Sequence, residues 1–278
     1  MQGLLVSSVD EVMDESSGET MLMRQAALGN TTAVRLLVDA GARPDATDDK
    51  GQTALMYAAF AGQRETALAM VKECGVDASA ANNIGETAIW KAAQNGHTET
   101  VRALVKECGA DATAADNEGR TPVFIAARSG HTETVRALVQ ECRADATAAD
   151  NEGRTPVLAA VFSGHTETVR ALVQECGADA TAADTEGRTP VFIAARNGHT
   201  ETVLALVQEF RADASTANNK GQTPVWKAAQ NGHTETVRAL DEHQRRVVRA
   251  GLWQQVVADA CAAGAKSLKL RKRKRQDV

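Results

Sequence analysis

The residues of this chain best equipped for chemistry are its cysteines and histidines, and they recur at one interval. Cys74, Cys108, Cys142 and Cys176 are evenly spaced, with Phe210 in the fifth place. His97, His131, His165, His199 and His233 keep the same interval. A zinc site gathers its ligands about 2.0–2.3 Å from one ion, commonly with paired cysteines a few residues apart. One cysteine and one histidine per interval do not supply that, and Cys-x-x-Cys does not occur. Disulfides need Cα atoms about 4.4–6.8 Å apart, whereas stacked helices sit about 8–10 Å apart, so bridges between successive cysteines are disfavoured. Phe210 in the series points to an apolar slot, and the cysteines are expected as small core side chains. Cys261, outside the series, is expected to pack near the C-terminal end. Within the repeated stretch serine, histidine and aspartate fall at recurring positions, and no Gly-x-x-x-x-Gly-Lys phosphate loop is present. The expectation is no catalytic centre, no metal and no cofactor.

The interval itself is the dominant feature. Gly51, Gly85, Gly119, Gly153, Gly187 and Gly221 share it, as do Thr53, Thr87, Thr121, Thr155, Thr189 and Thr223. Gly-His-Thr-Glu-Thr-Val occurs at 96–101, 130–135, 164–169, 198–203 and 232–237. A degenerate earlier copy has Gly18 and Thr20. Fixed periods of about 20–50 residues mark stacked arrays. Here the array has seven units, starting near residues 15, 48, 82, 116, 150, 184 and 218.

The unit 116–149 shows what positions these residues. Asp116-Asn-Glu-Gly119 is a turn signal. Thr121-Pro122 can cap and open a helix, which runs over Val123–Arg128 with small Ala126 and Ala127 for close packing. Gly130 ends it. Val135, Leu138 and Val139 at i, i+3, i+4 predict a second helix, with Glu133 and Arg136 paired on its wet side. Ala144-Asp145 leads into the next turn. One such unit cannot bury its apolar face alone; a stack can. The composition agrees: 43% hydrophobic but only 3% aromatic residues suits an alanine- and valine-packed array.

The ends depart from the period. Leu5, Val9, Val12 and Met13 predict a short capping helix over 1–14. Val247, Val248, Leu252, Val256 and Ala260 predict one longer capping helix, or two helices meeting at Gly251, over 241–265. Residues 266–278 hold seven basic residues and one acid; with a total of −5 the rest of the chain carries −11. That tail is expected to be disordered. Met1–Asp10 has no basic leader pattern and no run approaches about 18 apolar residues, so a soluble intracellular chain, cytoplasmic or nuclear, is expected.

The pattern Asp116-x-x-Gly119-x-Thr121-Pro122-Val123, then Ala126-Ala127-x-x-Gly130-His131-x-Glu133, then Val135, Leu138 and Ala144-Asp145, resembles the ankyrin-repeat family over roughly residues 15–240. The tetratricopeptide pattern has the same period but needs Trp, Tyr and Phe at set places, and this chain has one Tyr. The resemblance implies an all-α solenoid of helix-turn-helix units with short hairpin-like loops. It implies that the repeated histidines join adjacent units, and that hairpin tips and the inner faces of the first helices form a concave ligand surface. Carried over to this chain, that surface takes Tyr57, Phe60, Lys91, Gln94, Arg120, Ile125, Arg128, Arg154, Phe162, Arg188, Ile193, Arg196 and Lys227. Two departures stand out. Every unit after the first is one residue longer than is usual in the family, with the extra residue near Glu107-Cys108-Gly109 lengthening a helix end. The place three after the motif threonine, commonly histidine, holds Met56, Trp90, Phe124, Leu158, Phe192 or Trp226, expected to pack between units, with an apolar strip facing a ligand as the alternative.

Phe60 and Phe162 fill a slot that is Arg or Gln in the neighbouring units. An exposed aromatic beside arginine is hot-spot composition; the bland reading is that Phe162 packs over Val161. The Glu and Arg of the tips can simply neutralise one another. Lys269, Arg271, Lys272, Arg273, Lys274 and Arg275 look like a nuclear-import signal read by an import receptor. The alternatives are polyanion binding and a solubilising tail, and few aromatics accompany the run for base stacking. Together these features predict a monomeric, non-catalytic protein-interaction scaffold, with no small-molecule substrate and nucleic acid not the expected ligand. A nuclear regulatory adaptor and a ligand-free spacer are the alternatives.

Overall fold

A computed structural model of the chain describes residues 12–14 and 17–250. Seven helix pairs follow one another along it. The first helices are Met21–Ala27, Ala54–Phe60, Ala88–Gln94, Pro122–Arg128, Pro156–Ser163, Pro190–Asn197 and Pro224–Gln230. Each starts at a threonine whose hydroxyl accepts the N–H three residues on, as at Thr121 to Phe124 (3.2 Å) and Thr155 to Leu158 (3.3 Å). That satisfies one donor otherwise left without a partner. Pro122, Pro156, Pro190 and Pro224 take the first helical position, where no N–H is required.

The second helices open as Thr31–Asp39, Arg64–Lys72, Thr98–Cys108, Thr132–Arg136, Thr166–Arg170 and Thr200–Leu204. In three of them the last turn widens into a π turn: Ala137–Glu141, Ala171–Glu175 and Ala205–Glu209. Cys142 N–H reaches back five residues to Ala137 O (3.0 Å), and Cys176 to Ala171 (3.1 Å). The extra residue of the unit is thus absorbed by a wider turn in these units, while Thr98–Cys108 keeps α geometry up to Gly109. A π turn takes in one residue without changing the face presented by the helix before it.

Units stack first helix on first helix. The paired alanines, such as Ala92 and Ala93 or Ala126 and Ala127, are fully buried at this seam. The place where the family has histidine packs between units as expected: Met56, Trp90, Phe124, Leu158 and Phe192 are all buried. Trp226, in the last unit, is 46% exposed. No further unit among the described residues stacks on it.

Polar cross-links repeat with the stack. His131 Nε2 bonds Gln94 O of the preceding unit (3.0 Å), and His97, His199 and His233 do the same to Phe60, Phe162 and Arg196. A carbonyl only accepts, so Nε2 is the donor in each of these bonds. To reach that oxygen the ring lies over a glycine: a Cβ on Gly96 would stand 2.5 Å from His131 Nδ1. Gly96 also has φ +74°, a conformation that side chains disfavour. Threonine hydroxyls form a second buried seam, Thr98 to Thr134 (2.8 Å) and Thr132 to Thr168 (2.7 Å). On the outer side of the second helices, Arg102, Arg136 and Arg170 reach Glu141, Glu175 and Glu209 of the next unit. In the next step Leu204 and His243 replace both members at once, so neither charge is stranded.

Both ends differ from the sequence expectations. Val12–Asp14 is a strand paired antiparallel with Glu19–Thr20, not the end of a capping helix; residues 1–11 lie outside the described residues. A strand lets backbone pairing seal the first turn, which the four-residue apolar spacing does not reveal. At the other end residues 234–250 form one helix that continues the second helix of the seventh unit. Nearly all of its residues from 241 to 250 are exposed, including Val247 and Val248, so this stretch extends past the last unit and does not cover it. The remainder of the expected cap, 251–265, and the tail lie outside the described residues.

Two tests follow from the stack. Gly109 has φ +72° like Gly96, but no atom lies near its missing Cβ. Gly109→Ala should therefore cost only the backbone strain, about 1–2 kcal/mol, whereas Gly96→Ala adds displacement of His131 and should lower urea stability measurably more. The second test is acid sensitivity. Hydrogen bonds from Arg102 and Lys106 hold the Glu141 carboxyl at about 2. Its folded pKa is depressed, so its contribution is present above the ordinary value of about 4.5 and is lost as pH falls from there toward about 2. Glu141→Gln should lower Tm at pH 7, by less at high salt, and the difference from wild type should close near pH 2.

Candidate functional site

The hairpin tips are built from their own charges. In units four to six the carboxylates of Asp116, Asp150 and Asp184 are fully buried. Asp116 Oδ1 accepts the N–H groups of Glu118 and Arg120 (both 2.9 Å), and Oδ2 accepts Arg120 Nε (2.6 Å). Arg154 and Arg188 hold Asp150 and Asp184 in the same way. These three arginines, expected on the ligand surface, have their guanidinium groups committed to closing their own turns. Each tip also bonds the next: Asn151 N–H reaches Glu118 O (2.9 Å), and its side-chain amide reaches Asn117 O (3.1 Å). The tips form one continuous, rigid edge.

Other expected contact residues are also occupied. Lys91 is buried and paired with Glu86, close against the Trp90 ring. It is not an outward-facing cation. Unit three has Asn82 where its neighbours have aspartate, and Glu86 with Lys91 supplies the missing charge pair. The Tyr57 hydroxyl donates to Asp48 (2.9 Å), and burial pushes its pKa up. Ile125 and Ile193 are buried and form floor, not projections. Gln94 is half-buried, and Lys227 lies over the Trp226 ring and donates to Gln230.

What remains open is the slot two residues before the helix-ending glycines. There the backbone carbonyl is fixed from the next unit, as at Phe162 O by Asn197 and His199, while the side chain points away from that lock. Phe60 is 52% and Phe162 48% exposed. Arg196 stacks on Phe162, 5.7 Å from the ring centroid, and among the described residues its guanidinium bonds only Asn197 Oδ1 (3.2 Å). Burial, then repulsion from Arg188, pushes the Arg196 guanidinium down from its ordinary range. Arg128, across Phe162 in the preceding unit, is exposed. These three side chains rim a recess of about 160 Å³ whose apolar floor is Leu158, Ala159 and Ile193. Four arginines line it against two carboxylates, Glu152 and Asp184.

The sequence places Phe162 between two arginines, one unit away on each side. It does not show that Arg196 lacks a carboxylate while Arg188, just as charged, has one. It also passes over Lys220, which lines a polar recess continuous with the first through Arg188 and Arg196. The thiols of the four evenly spaced cysteines are half-buried, and burial pushes them up, which keeps the reactive thiolate scarce at neutral pH. Among the described residues no cluster of His, Cys, Asp and Glu is arranged to hold a metal ion, and no helix is long and apolar enough to cross a membrane. The basic run Lys269–Arg275 lies outside the described residues.

Comparison with known families gives one match. A family model for ankyrin repeats, three copies long, matches residues 1–82, 68–150, 89–184, 142–216 and 176–250. No curated protein matches the chain. Ankyrin repeats are generally protein–protein interaction modules and typically non-enzymatic. The recurring motif residues, the stack of helix pairs they build and the family match over residues 1–250 agree: the chain belongs to the ankyrin-repeat family.

Proposed function

We propose that this chain recognises a protein partner, without catalysis, through the face made by its hairpin tips and first helices, centred on Phe162. The observation that carries the reading is the half-exposed Phe162 ring under an arginine that forms no ion pair among the described residues. An aromatic and an arginine beside an apolar recess make the kind of centre on which binding energy concentrates. The surroundings are already ordered: tips bonded to tips, and first helices capped and stacked. Binding there freezes few new degrees of freedom, which keeps the ordering cost low. A ligand-free spacer would have no use for an aromatic held half in water. We take the chain to act as a monomeric scaffold in the cytoplasm, the nucleus or both.

The test is affinity capture with the full chain and with Phe162→Ala/Arg196→Glu, both checked for matching helicity and Tm. A protein held by the first bait and lost from the second supports the reading. Equal capture by both baits, or none, favours the spacer.

The basic run from Lys269 to Arg275 favours a second reading, import into the nucleus by a receptor that reads flexible basic segments, so that the repeats act there as a regulatory adaptor. Deleting 266–278 from a chain carrying a tandem fluorescent reporter should then abolish nuclear accumulation; an unchanged distribution removes this reading.

A further inference from the structure

We infer that the recess at Phe162 takes an acidic segment of the partner, with one bulky apolar side chain inserted and carboxylates placed on Arg196 and Arg128. This rests on the recognition reading above and adds the chemistry of the ligand. The volume sets the anchor. A cavity of about 150 Å³ accommodates a benzene-sized group, and this recess of about 160 Å³ has an apolar floor. It therefore fits a leucine or phenylalanine side chain, not a helix or a base pair.

The charge sets what surrounds the anchor. The whole chain is net negative, at −5, yet the recess carries four arginines against two carboxylates. Asp184 is spent on its own turn, accepting from Arg188 Nε and from two backbone N–H groups. Glu152 lies 3.2 Å from Arg154. Among the described residues neither Arg196 nor Arg128 forms an ion pair, and Asp184 and Glu186 favour the Arg196 charge only from a distance. Arg196 is already partly out of water, which is why its charged form is disfavoured. A carboxylate arriving there meets a cation that has already lost part of its hydration, which strengthens the charge-assisted bond.

The stack also sets a spacing. The next recess, toward the C-terminal end, shares Arg188 and Arg196 and adds Lys220 and Lys227 against one carboxylate, Glu186, which pairs with Arg188. Adjacent units lie about 8–10 Å apart, and an extended chain advances about 3.3–3.6 Å per residue. An extended ligand therefore reaches the second cationic position about three residues from its anchor. The favoured segment has an apolar residue flanked by acids, with a further acid about three positions away.

The experiment measures fluorescence anisotropy of labelled octapeptides with the full chain. The reference peptide is Gly-Glu-Glu-Leu-Glu-Asp-Glu-Gly. Controls replace Leu with Ser, or every acid with Lys, and a single-stranded RNA octamer provides a polyanion without an apolar anchor. The expected result is at least about tenfold tighter binding of the reference than of any control. Arg196→Glu should weaken the reference about tenfold, and salt should weaken it further. A peptide with Lys at the acid next to the anchor should recover binding to Arg196→Glu, which a merely misfolded variant could not produce. Equal binding of the Lys or RNA ligands, or indifference to Arg196→Glu, overturns the inference. The two readings fail separately. If a captured protein depends on Phe162 but is not displaced by excess reference peptide, the face is a binding site and the acidic ligand is wrong. If no protein depends on Phe162, both are wrong.

Discussion

A histidine ring resting on the glycine of the preceding unit is the constraint on which the array depends. The imidazole can reach the carbonyl two residues before that glycine only because no Cβ stands in the way. The same glycine turns the chain, with positive φ, from the first helix into the second. One residue thus ends a helix and admits the next unit's anchor, and the distance between units is fixed by a hydrogen bond as well as by packing. The alanine seam, the threonine seam and the ladder of tips can then run in register from unit to unit. The contrast at the end of the second helix is instructive. There Gly75, Gly109 and Gly177 alternate with Arg143 and Arg211, all with positive φ, and nothing crowds the glycines. Where only conformation is at stake, arginine is tolerated; where a neighbouring ring occupies the space, the unit keeps glycine.

That rigidity divides the charges into two populations. Arg120, Arg154 and Arg188 close their own turns onto buried aspartates, and Arg102, Arg136 and Arg170 bind the next unit's glutamates on the outside. Their charge is satisfied within the molecule and offers a ligand little. Among the described residues Arg196 and Arg128 have no such partner, and they flank the exposed ring of Phe162. Because the tips are stiff, these groups are held in place before a ligand arrives.

The ends show what happens when the neighbour is missing. Trp226 occupies the place where Trp90 and Phe192 are buried, yet nearly half of it meets solvent because no further unit among the described residues stacks on it. The outer ion-pair ladder stops cleanly, with Leu204 and His243 replacing its two members together. Burial in a stacked protein belongs to the interface between units and not to the residue type.

The sequence by itself determined the repeat, its constant period, the capped helix pairs and the family, because each depends on short-range chemistry repeated in register: threonine before proline, glycine before histidine, apolar residues three and four apart. It also placed Phe162 between two arginines. The tertiary structure alone decided which of these side chains are free. Whether Lys91 faces a ligand or a buried glutamate, and whether Arg188 or Arg196 lacks a carboxylate, depends on groups brought together by turns and by stacking, and periodicity treats such positions as equivalent. The N-terminal strand escaped for a related reason. Val12–Asp14 has the apolar spacing of a helix, but the partner that makes it a strand, Glu19–Thr20, stands across a turn, and backbone pairing leaves no mark in side-chain spacing.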